Sequence, residues 1–290
     1  MQYDMPLFRP PSEGNSLIIQ ATIGCSWNHC TYCGMYRTKQ YRLRPLPEVL
    51  AEIDAIREQL GDSVRRIFIA DGDALVMPMD HWLPILEACR SAFPRTIRIS
   101  SYATARNVLA KTTDELKALR ELGLRLLYIG PESGDPATLK AIAKGGSFED
   151  HVVTAKRCRD ANMDQSLIFL LGAGGAERSH AHAVSSGKLT TEMDPRYVSL
   201  LTLTFAPGTP LIKLHARGKF ELPDQRGFLE EIRLFLEETN PSNAVFRSNH
   251  ASNYLPLAGR LPRDRDRLIA VVDQALAGKV ALRPDSQRGF

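Results

Sequence analysis

Three cysteines lie within nine residues near the start of the chain, at Cys25, Cys30 and Cys33. They follow an apolar run, Leu17 to Ile23, whose composition is typical of a β-strand. Three thiolates at this spacing can bind three irons of a cubane iron–sulfur cluster and leave the fourth iron open to a small molecule. An open iron indicates chemistry rather than a structural or storage role.

Two other uses of these cysteines need a fourth ligand. A structural zinc site closes with four protein ligands, and so does an electron-transfer cluster of the ferredoxin type. The remaining cysteines, Cys89 and Cys158, stand alone in segments with a helical pattern, and His29 is the local imidazole. We expect Cys89 and Cys158 to lie in the core, because an isolated cysteine behaves as a small hydrophobic residue.

The composition favours a cytoplasmic enzyme. The chain has 290 residues, of which 24% are charged and 43% hydrophobic, which is enough to bury a full core. No apolar run approaches the roughly 20 residues that span a bilayer, and the N-terminus lacks the pattern of a signal peptide. Five cysteines with one tight cluster indicate a reducing compartment. A net charge of +4 is too small to indicate nucleic acid binding.

Six apolar runs of strand length alternate with longer segments of helical periodicity. This alternation predicts βα units around a parallel sheet, and six such units make a partial (β/α)6 barrel of the TIM type. We therefore predict an α/β fold in three parts: an N-terminal extension at residues 1–15, the partial barrel at 16–211, and a C-terminal helical extension at 212–290 that closes the barrel. The predicted strands run from Leu17 to Ile23, Arg66 to Ala70, Ile97 to Ser101, Leu124 to Gly130, Leu167 to Gly172, and Tyr197 to Phe205.

Unusual turns follow the predicted strands. In a barrel of this type, the turns after the strands meet on one face, where the active site lies. The cysteine loop follows the first strand, so we expect the other turns to surround the same site. These turns are Asp71-Gly72-Asp73, Ser100-Ser101-Tyr102, Pro131-Glu132-Ser133-Gly134, Gly172-Ala173-Gly174-Gly175 and Ala206-Pro207-Gly208-Thr209-Pro210.

The motif Cys-x4-Cys-x2-Cys resembles the three-cysteine signature of the radical S-adenosylmethionine (radical SAM) superfamily, with one residue more than usual in the first gap. Over about residues 16 to 210 the chain is similar to coproporphyrinogen-oxidase-like and methylthiotransferase-like cores of that family. The resemblance implies a 4Fe-4S cluster held by Cys25, Cys30 and Cys33, with S-adenosyl-L-methionine (SAM) on the open iron. It further implies that SAM is cleaved reductively to a 5'-deoxyadenosyl radical, which takes hydrogen from a substrate.

The resemblance also assigns residues to the cofactor. Tyr32 matches the aromatic position beside the adenine, and Glu132 matches the position that contacts the methionyl or ribose portion. Asp73 stands in a turn where the family usually has Gly-Gly-Glu, so its carboxylate would receive the methionyl ammonium. Lys144 falls near the cofactor carboxylate, and Gly172 lies in the turn behind the adenine. The predicted cofactor-binding residues are Tyr32, Asp71, Gly72, Asp73, Ser101, Glu132, Lys144 and Gly172.

Several of these residues also have a purely structural interpretation. Aspartate and glycine form turns, and an aromatic side chain can pack on the rim of a barrel. A lysine near a helix end interacts favourably with the helix dipole. The sequence alone leaves these alternatives open.

The polar run from Phe246 to Tyr254 has seven hydrogen-bonding side chains in nine residues. Because a carbon radical must be shielded, we expect this segment to fold over the barrel mouth, with Arg247 and His250 as catalytic residues at the substrate. A solvated loop or a capping network is the alternative.

The substrate is not specified by any motif. The chain has no second cysteine cluster and no room for a further large domain, which favours a small molecule, with an RNA nucleotide or a peptide as alternatives. The expected partner is an external electron donor such as a ferredoxin or flavodoxin, and neither a membrane nor nucleic acid is expected. An iron–sulfur protein with a redox or regulatory role, without radical chemistry, is the alternative function.

Overall fold

A computed structural model describes residues 3–289 of the chain. Its fold is α/β, as predicted, with a mostly parallel sheet of eight strands in the described residues. All six predicted strands are present, and the first apolar run is divided between β1 and β2. The strands are β1 (Leu17–Gln20), β2 (Thr22–Ile23), β3 (Arg42–Leu43), β4 (Arg66–Ala70), β5 (Arg98–Ala103), β6 (Leu124–Glu132), β7 (Asp164–Leu171), β8 (Tyr197–Thr202), β9 (Ala244–Arg247) and β10 (Ala258–Leu261).

Helices occupy the segments between the strands, as the βα pattern predicts. Thr112 caps the helix that begins at Thr113, since its hydroxyl accepts from Glu115 N at 3.1 Å and Glu115 Oε2 accepts from Thr112 N at 2.7 Å. The helices are α1 (Leu46–Leu60), α2 (Met79–Ala92), α3 (Ala105–Leu109), α4 (Thr113–Glu121), α5 (Pro136–Ala141), α6 (Phe148–Asp160), α7 (Gly175–Met193), α8 (Pro210–His215), α9 (Gln225–Glu238) and α10 (Arg265–Leu276).

The chain forms two compact units. One comprises the chain up to Asn28, Met35–Ile129 and Lys156–Gln165. The other comprises His29–Gly34, Gly130–Ala155 and the chain from Ser166 onward. The predicted boundaries at residues 15/16 and 211/212 are not tested by this division and stay predictions.

In the first unit, β1, β4 and β5 run parallel, and β5 pairs in parallel with Leu124–Ile129 of β6. Strand β4 is buried along Ile67–Ala70, which explains why it reads as a continuous apolar run. Helix α1 packs on α2, where Cys89 is fully buried. Cys158 in α6 is fully buried as well, and burial raises the pKa of both thiols to about 12. Both cysteines therefore lie in the core, as predicted.

In the second unit, β7 and β8 run parallel, β9 continues parallel to β8, and β10 is antiparallel to β9. Helix α7 packs on α9, and α9 packs on α10, so the helices predicted in the C-terminal extension are present. Strands β9 and β10 were not predicted. Strand β9 forms because Ala244 and Phe246 are fully buried and the edge of β8 offers backbone partners. Among the described residues, no helix is long and apolar enough to span a bilayer.

Candidate functional site

The cysteine loop is divided between the two units, with Cys25 in the first and Cys30 and Cys33 in the second. Cys30 is buried, and the other two are partly buried. In the second unit, Thr31 N donates to Ile142 O at 2.9 Å and Leu211 N donates to Thr31 O at 2.9 Å. These backbone bonds hold the loop that carries Cys30 and Cys33.

The donor set fits a cluster with three protein thiolates, which is the chemistry that the spacing predicts. Within residues 3–289, no group of three or more His, Cys, Asp or Glu side chains is arranged to hold a single metal ion. The assignment of Cys25, Cys30 and Cys33 as cluster ligands stays a prediction.

In the first unit, Asp73 binds the residue that follows Cys25. Its Oδ1 accepts from Ser26 N at 2.7 Å, and its Oδ2 accepts from Ser26 Oγ at 2.5 Å. Asn107 Nδ2 donates to Oδ2 at 3.4 Å. Burial raises the pKa of Asp73, and the hydrogen bonds from Ser26 oppose that shift. This carboxylate anchors the cysteine loop to the end of β4, a contact that the sequence did not predict.

The neighbouring Asp71 is fully buried, and its Oδ2 accepts from Lys39 Nζ at 3.0 Å and from Gly24 N at 3.1 Å. Burial raises its pKa, and the hydrogen bond from Lys39 opposes that shift. Gly72 lies so close to the loop that a Cβ atom would sit 2.8 Å from Cys25 Cβ and 2.8 Å from Tyr36 Cε2. Both residues support the cysteine loop, and their predicted contact with the cofactor stays a prediction.

Glu132 lies at the end of β6, in the part of the candidate site that belongs to the second unit. Its φ is 67°, a left-handed conformation that is uncommon for a residue with a side chain. A Cβ on Gly130 would lie 2.1 Å from Glu132 Oε1, so the absence of a side chain at Gly130 makes room for the carboxylate. Glu132 Oε1 accepts from Lys144 Nζ at 3.1 Å, and each of these side chains is only 12% exposed.

Tyr32 and Cys30 share the surroundings of this ion pair. Burial raises the pKa of Tyr32 well above its ordinary value, and the hydrogen-bonded carboxylate of Glu132 adds to the shift. Burial also raises the pKa of the Cys30 thiol, whereas the nearby Lys144 ammonium lowers it. The structure thus brings together four residues that the resemblance assigned to the cluster or the cofactor: Tyr32, Cys30, Glu132 and Lys144.

Gly172 lies in the turn after β7 with a φ of 81°, and a Cβ there would sit 2.7 Å from Phe228 Cε1. In the first unit, Ser101 is fully buried in β5, where its hydroxyl donates to Ile69 O at 3.0 Å. The Ser101 hydroxyl is therefore engaged inside the sheet. Direct contact of either residue with SAM stays a prediction.

The two residues predicted to be catalytic lie at the start of the polar run. Arg247 is exposed at the end of β9, and its Nη1 donates to Phe246 O at 2.8 Å. His250 is partly buried, with Nδ1 at 2.9 Å from Ser252 Oγ. The catalytic role of both residues stays a prediction.

The rest of the polar run forms a buried hydrogen-bond network at the end of β8. Ser252 Oγ accepts from Thr202 N at 3.0 Å, and Asn253 Oδ1 accepts from Thr202 Oγ1 at 2.8 Å. Asn253 Nδ2 donates to Leu200 O at 2.7 Å and to Ser248 Oγ at 3.0 Å. The capping network, which the sequence left as an alternative to a substrate-binding loop, is present for these residues.

A family model described as the radical SAM superfamily matches residues 19–184, more than half of the chain. The chain belongs to the radical SAM superfamily. This membership confirms that it is an enzyme of that superfamily and confirms the two predicted cofactors, a 4Fe-4S cluster and SAM.

Individual radical SAM relatives are distant in sequence. The heme chaperone HemW of Bacillus subtilis (strain 168) is 21% identical over 216 residues, which cover 72% of this chain and 56% of that protein. The structure of coproporphyrinogen III oxidase (HemN) from Escherichia coli matches 77% of this chain and 52% of its own, with a TM-score of 0.56 and 16% identity.

A third relative is the radical SAM methyltransferase TsrM from Kitasatospora setae, with cobalamin and a 4Fe-4S cluster bound. It matches 70% of this chain and 39% of its own, with a TM-score of 0.53 and 19% identity. The chain thus spans about half of the curated relative and less of the methyltransferase. The structural likenesses support the partial barrel fold of this radical SAM enzyme.

One buried carboxylate, Glu231, was missed because its role depends on tertiary contacts. Glu231 in α9 is fully buried, and its Oε2 accepts from Gly172 N at 2.7 Å, while Oε1 accepts from Ser179 Oγ at 2.7 Å. Burial raises the pKa of Glu231 to about 8, and the hydrogen bond from Ser179 opposes the shift. The only available signal was a carboxylate on the apolar face of an amphipathic helix.

The Glu231→Gln variant is expected to be less sensitive to alkaline pH than the wild type. Folding raises the pKa of Glu231 from 4.5 to about 8, so the folded state binds more protons in this window and its stability falls as the pH rises. Glutamine can accept from Gly172 N and donate to Ser179 Oγ without any charge. We expect the wild type to lose on the order of 3–5 kcal/mol more than the variant between pH 5 and pH 9.

Urea denaturation of the cluster-free chain at pH 5, 7 and 9 measures this difference. The exposed neighbour Glu230 provides a matched control, Glu230→Gln. Parallel pH dependences for the wild type and Glu231→Gln would contradict the prediction.

Proposed function

We propose that this radical SAM enzyme holds its cluster through Cys25, Cys30 and Cys33 and abstracts hydrogen from a small-molecule substrate. When bound, the reduced cluster supplies an electron that cleaves SAM and so provides the 5'-deoxyadenosyl radical. The observation that carries the proposal is the buried Glu132–Lys144 pair beside Tyr32 and Cys30, within the family-matched residues 19–184.

The ion pair suits the methionyl part of SAM. That part carries an ammonium and a carboxylate, and the pair offers the opposite charge for each, 3.1 Å apart. Glu132 would accept from the ammonium of SAM, and Lys144 would donate to its carboxylate. The methionyl zwitterion of SAM would thus replace the ion pair between Glu132 and Lys144. Since both side chains are mostly buried, the contacts would be screened little by solvent.

We place the enzyme in the cytoplasm, where a reducing environment preserves thiolates, and expect a ferredoxin or flavodoxin as electron donor. The single three-cysteine motif in this sequence supports a small-molecule substrate, and an RNA nucleotide or a peptide is the alternative.

The deciding experiment is anaerobic reconstitution with iron and sulfide, followed by dithionite and SAM. Formation of 5'-deoxyadenosine, measured by liquid chromatography, supports the proposal. A well-formed cluster that never cleaves SAM would favour the redox or regulatory alternative. If 5'-deoxyadenosine forms, deuterium exchange between it and metabolites from a cell extract would identify the substrate class.

Heme is a second candidate ligand, because the chain is 21% identical over 216 residues to the heme chaperone HemW. Titration of the purified chain with hemin tests it directly. A saturable Soret band at one equivalent would support a heme-related role, whereas a linear, unsaturable change would leave the small-molecule substrate in place.

The Glu132→Gln variant is expected to bind SAM about 10–100-fold more weakly, because a hydrogen bond to a charged group contributes about 1.5–3 kcal/mol. Glutamine can still accept from Lys144, so the iron content of the cluster is expected to stay close to that of the wild type. Isothermal titration of the reconstituted protein with SAM measures the affinity. The exposed Glu177 in α7 supplies the control, Glu177→Gln, and unchanged affinity in Glu132→Gln would remove that residue from the site.

A further inference from the structure

Three polar side chains lie on one face of α7, at Arg178, His182 and Ser186. They are four residues apart, so they follow one another along the helix. Each binds one residue of the segment Ser133–Asp135, which directly follows Glu132. None of the three helix residues belongs to a motif that was assigned to the cofactor.

Arg178 forms a two-pronged ion pair with Asp135, with Nε to Oδ2 at 2.8 Å and Nη2 to Oδ1 at 2.8 Å. The guanidinium lowers the pKa of Asp135 to about 2. Asp135 also begins α5, since its Oδ2 accepts from Thr138 N at 2.9 Å. The short helix α5 leads to Lys144, whose N donates to Leu139 O at 3.0 Å. Arg178 therefore stabilises the start of the segment that carries Lys144.

His182 is buried and lies with Nδ1 at 2.8 Å from Ser133 Oγ. Burial lowers the pKa of His182 to about 4, while a hydrogen bond to the backbone of Leu170 opposes the shift. The imidazole is thus neutral near pH 7. Ser133 Oγ also accepts from Asp135 N at 3.0 Å, so the Ser133 hydroxyl links His182 to the backbone of Asp135.

Gly134 lies directly against the helix backbone. Its N donates to Ser186 Oγ at 3.0 Å, and a Cβ at this position would lie 2.1 Å from Ser185 O. No side chain fits in this space, so the segment is held by backbone proximity as well as by side chains. Glu132, in its left-handed conformation, immediately precedes this anchored segment.

We propose that Arg178, His182 and Ser186 of α7 are positioning residues that hold the Glu132–Lys144 pair in the geometry that binds the methionyl zwitterion, an inference that rests on the proposed function. The helix fixes Ser133–Asp135 behind Glu132 and the start of α5 before Lys144. The helix would act through Glu132 and Lys144.

The test is a double-mutant cycle of Arg178→Lys and Glu132→Gln, with SAM affinity of the reconstituted protein as the readout. Lysine keeps the charge but cannot form the two-pronged bond. We expect Arg178→Lys alone to weaken SAM binding about tenfold, as other supporting partners of a binding site do. In the Glu132→Gln background its effect should be clearly smaller, because the part that acts through Glu132 is lost and only the part that acts through Lys144 remains.

A second readout needs no cluster. Hydrogen–deuterium exchange of the cluster-free chain should show faster exchange of the Gly134 and Asp135 amides in Arg178→Lys, with the sheet unaffected. Ser133→Ala, which removes one hydroxyl, should give a smaller change in the same direction and serves if Arg178→Lys folds poorly. His180 is exposed on α7, and His180→Ala is the control that should change nothing.

The outcomes separate the inference from the proposed function. An additive loss of affinity in the double variant, or a lower melting temperature with unchanged SAM affinity, would overturn the positioning role. If Glu132→Gln alone binds SAM as the wild type does, the proposed role of Glu132 fails and the inference falls with it.

Discussion

The Cys30→Ala variant is expected to form no 5'-deoxyadenosine from SAM under reducing, anaerobic conditions. Three thiolates leave one iron open, and removal of one thiolate leaves two irons without protein ligands, so the cluster is expected to be lost or incomplete. Burial raises the pKa of the Cys30 thiol, and the nearby Lys144 ammonium opposes that shift. Iron content, the visible absorption of the cluster and product formation are measured on the same sample.

Cys89 offers a matched control, because it is a buried cysteine in α2 and is not part of the three-cysteine motif. Cys89→Ala should keep the cluster and the product, at the cost of a small loss of core packing. Equal product formation in Cys30→Ala and Cys89→Ala would contradict the assignment of Cys30.

The Asp73→Ala variant is expected to lose most of the cluster iron. In the wild type, the carboxylate of Asp73 accepts two hydrogen bonds, of 2.7 and 2.5 Å, from Ser26, the residue next to Cys25. Each hydrogen bond to a charged group contributes about 1.5–3 kcal/mol, so the loop that carries Cys25 should be released when both are lost. Iron and sulfide analysis after reconstitution measures the effect.

This experiment separates two roles of Asp73. Asp73→Asn can still accept from Ser26 and should retain most of the iron, whereas Asp73→Ala should not. If Asp73→Ala keeps its iron and instead loses affinity for SAM, the direct contact with the methionyl ammonium is favoured over loop anchoring. Ser26→Ala, which removes only the hydroxyl, is expected to give an intermediate iron content.

The parallel strands were predictable because they are buried on both faces. Strand β4, for example, reads as a short apolar run that no helix of ordinary length explains. Strand β9 was missed because four residues with an arginine at the end give too weak a pattern. Its formation depends on the free edge of β8, which is a tertiary property.

The candidate site was predictable only in part. The proximity of Glu132 and Lys144 followed from the resemblance to a family, since twelve residues of separation say nothing about contact. Arg178 and His182 were missed because polar residues at helical spacing usually face solvent. Only the structure reveals that they face the segment after Glu132.

The burial of Cys89 and Cys158 has a practical consequence for measuring cluster occupancy. With pKa values of about 12, both thiols stay protonated at neutral pH, and the core shields them from reagents. Alkylation of the folded chain by iodoacetamide would therefore report on the partly buried motif cysteines, Cys25 and Cys33, with little background. Labelling before and after reconstitution, read by peptide mass, would give the fraction of these two cysteines that iron protects.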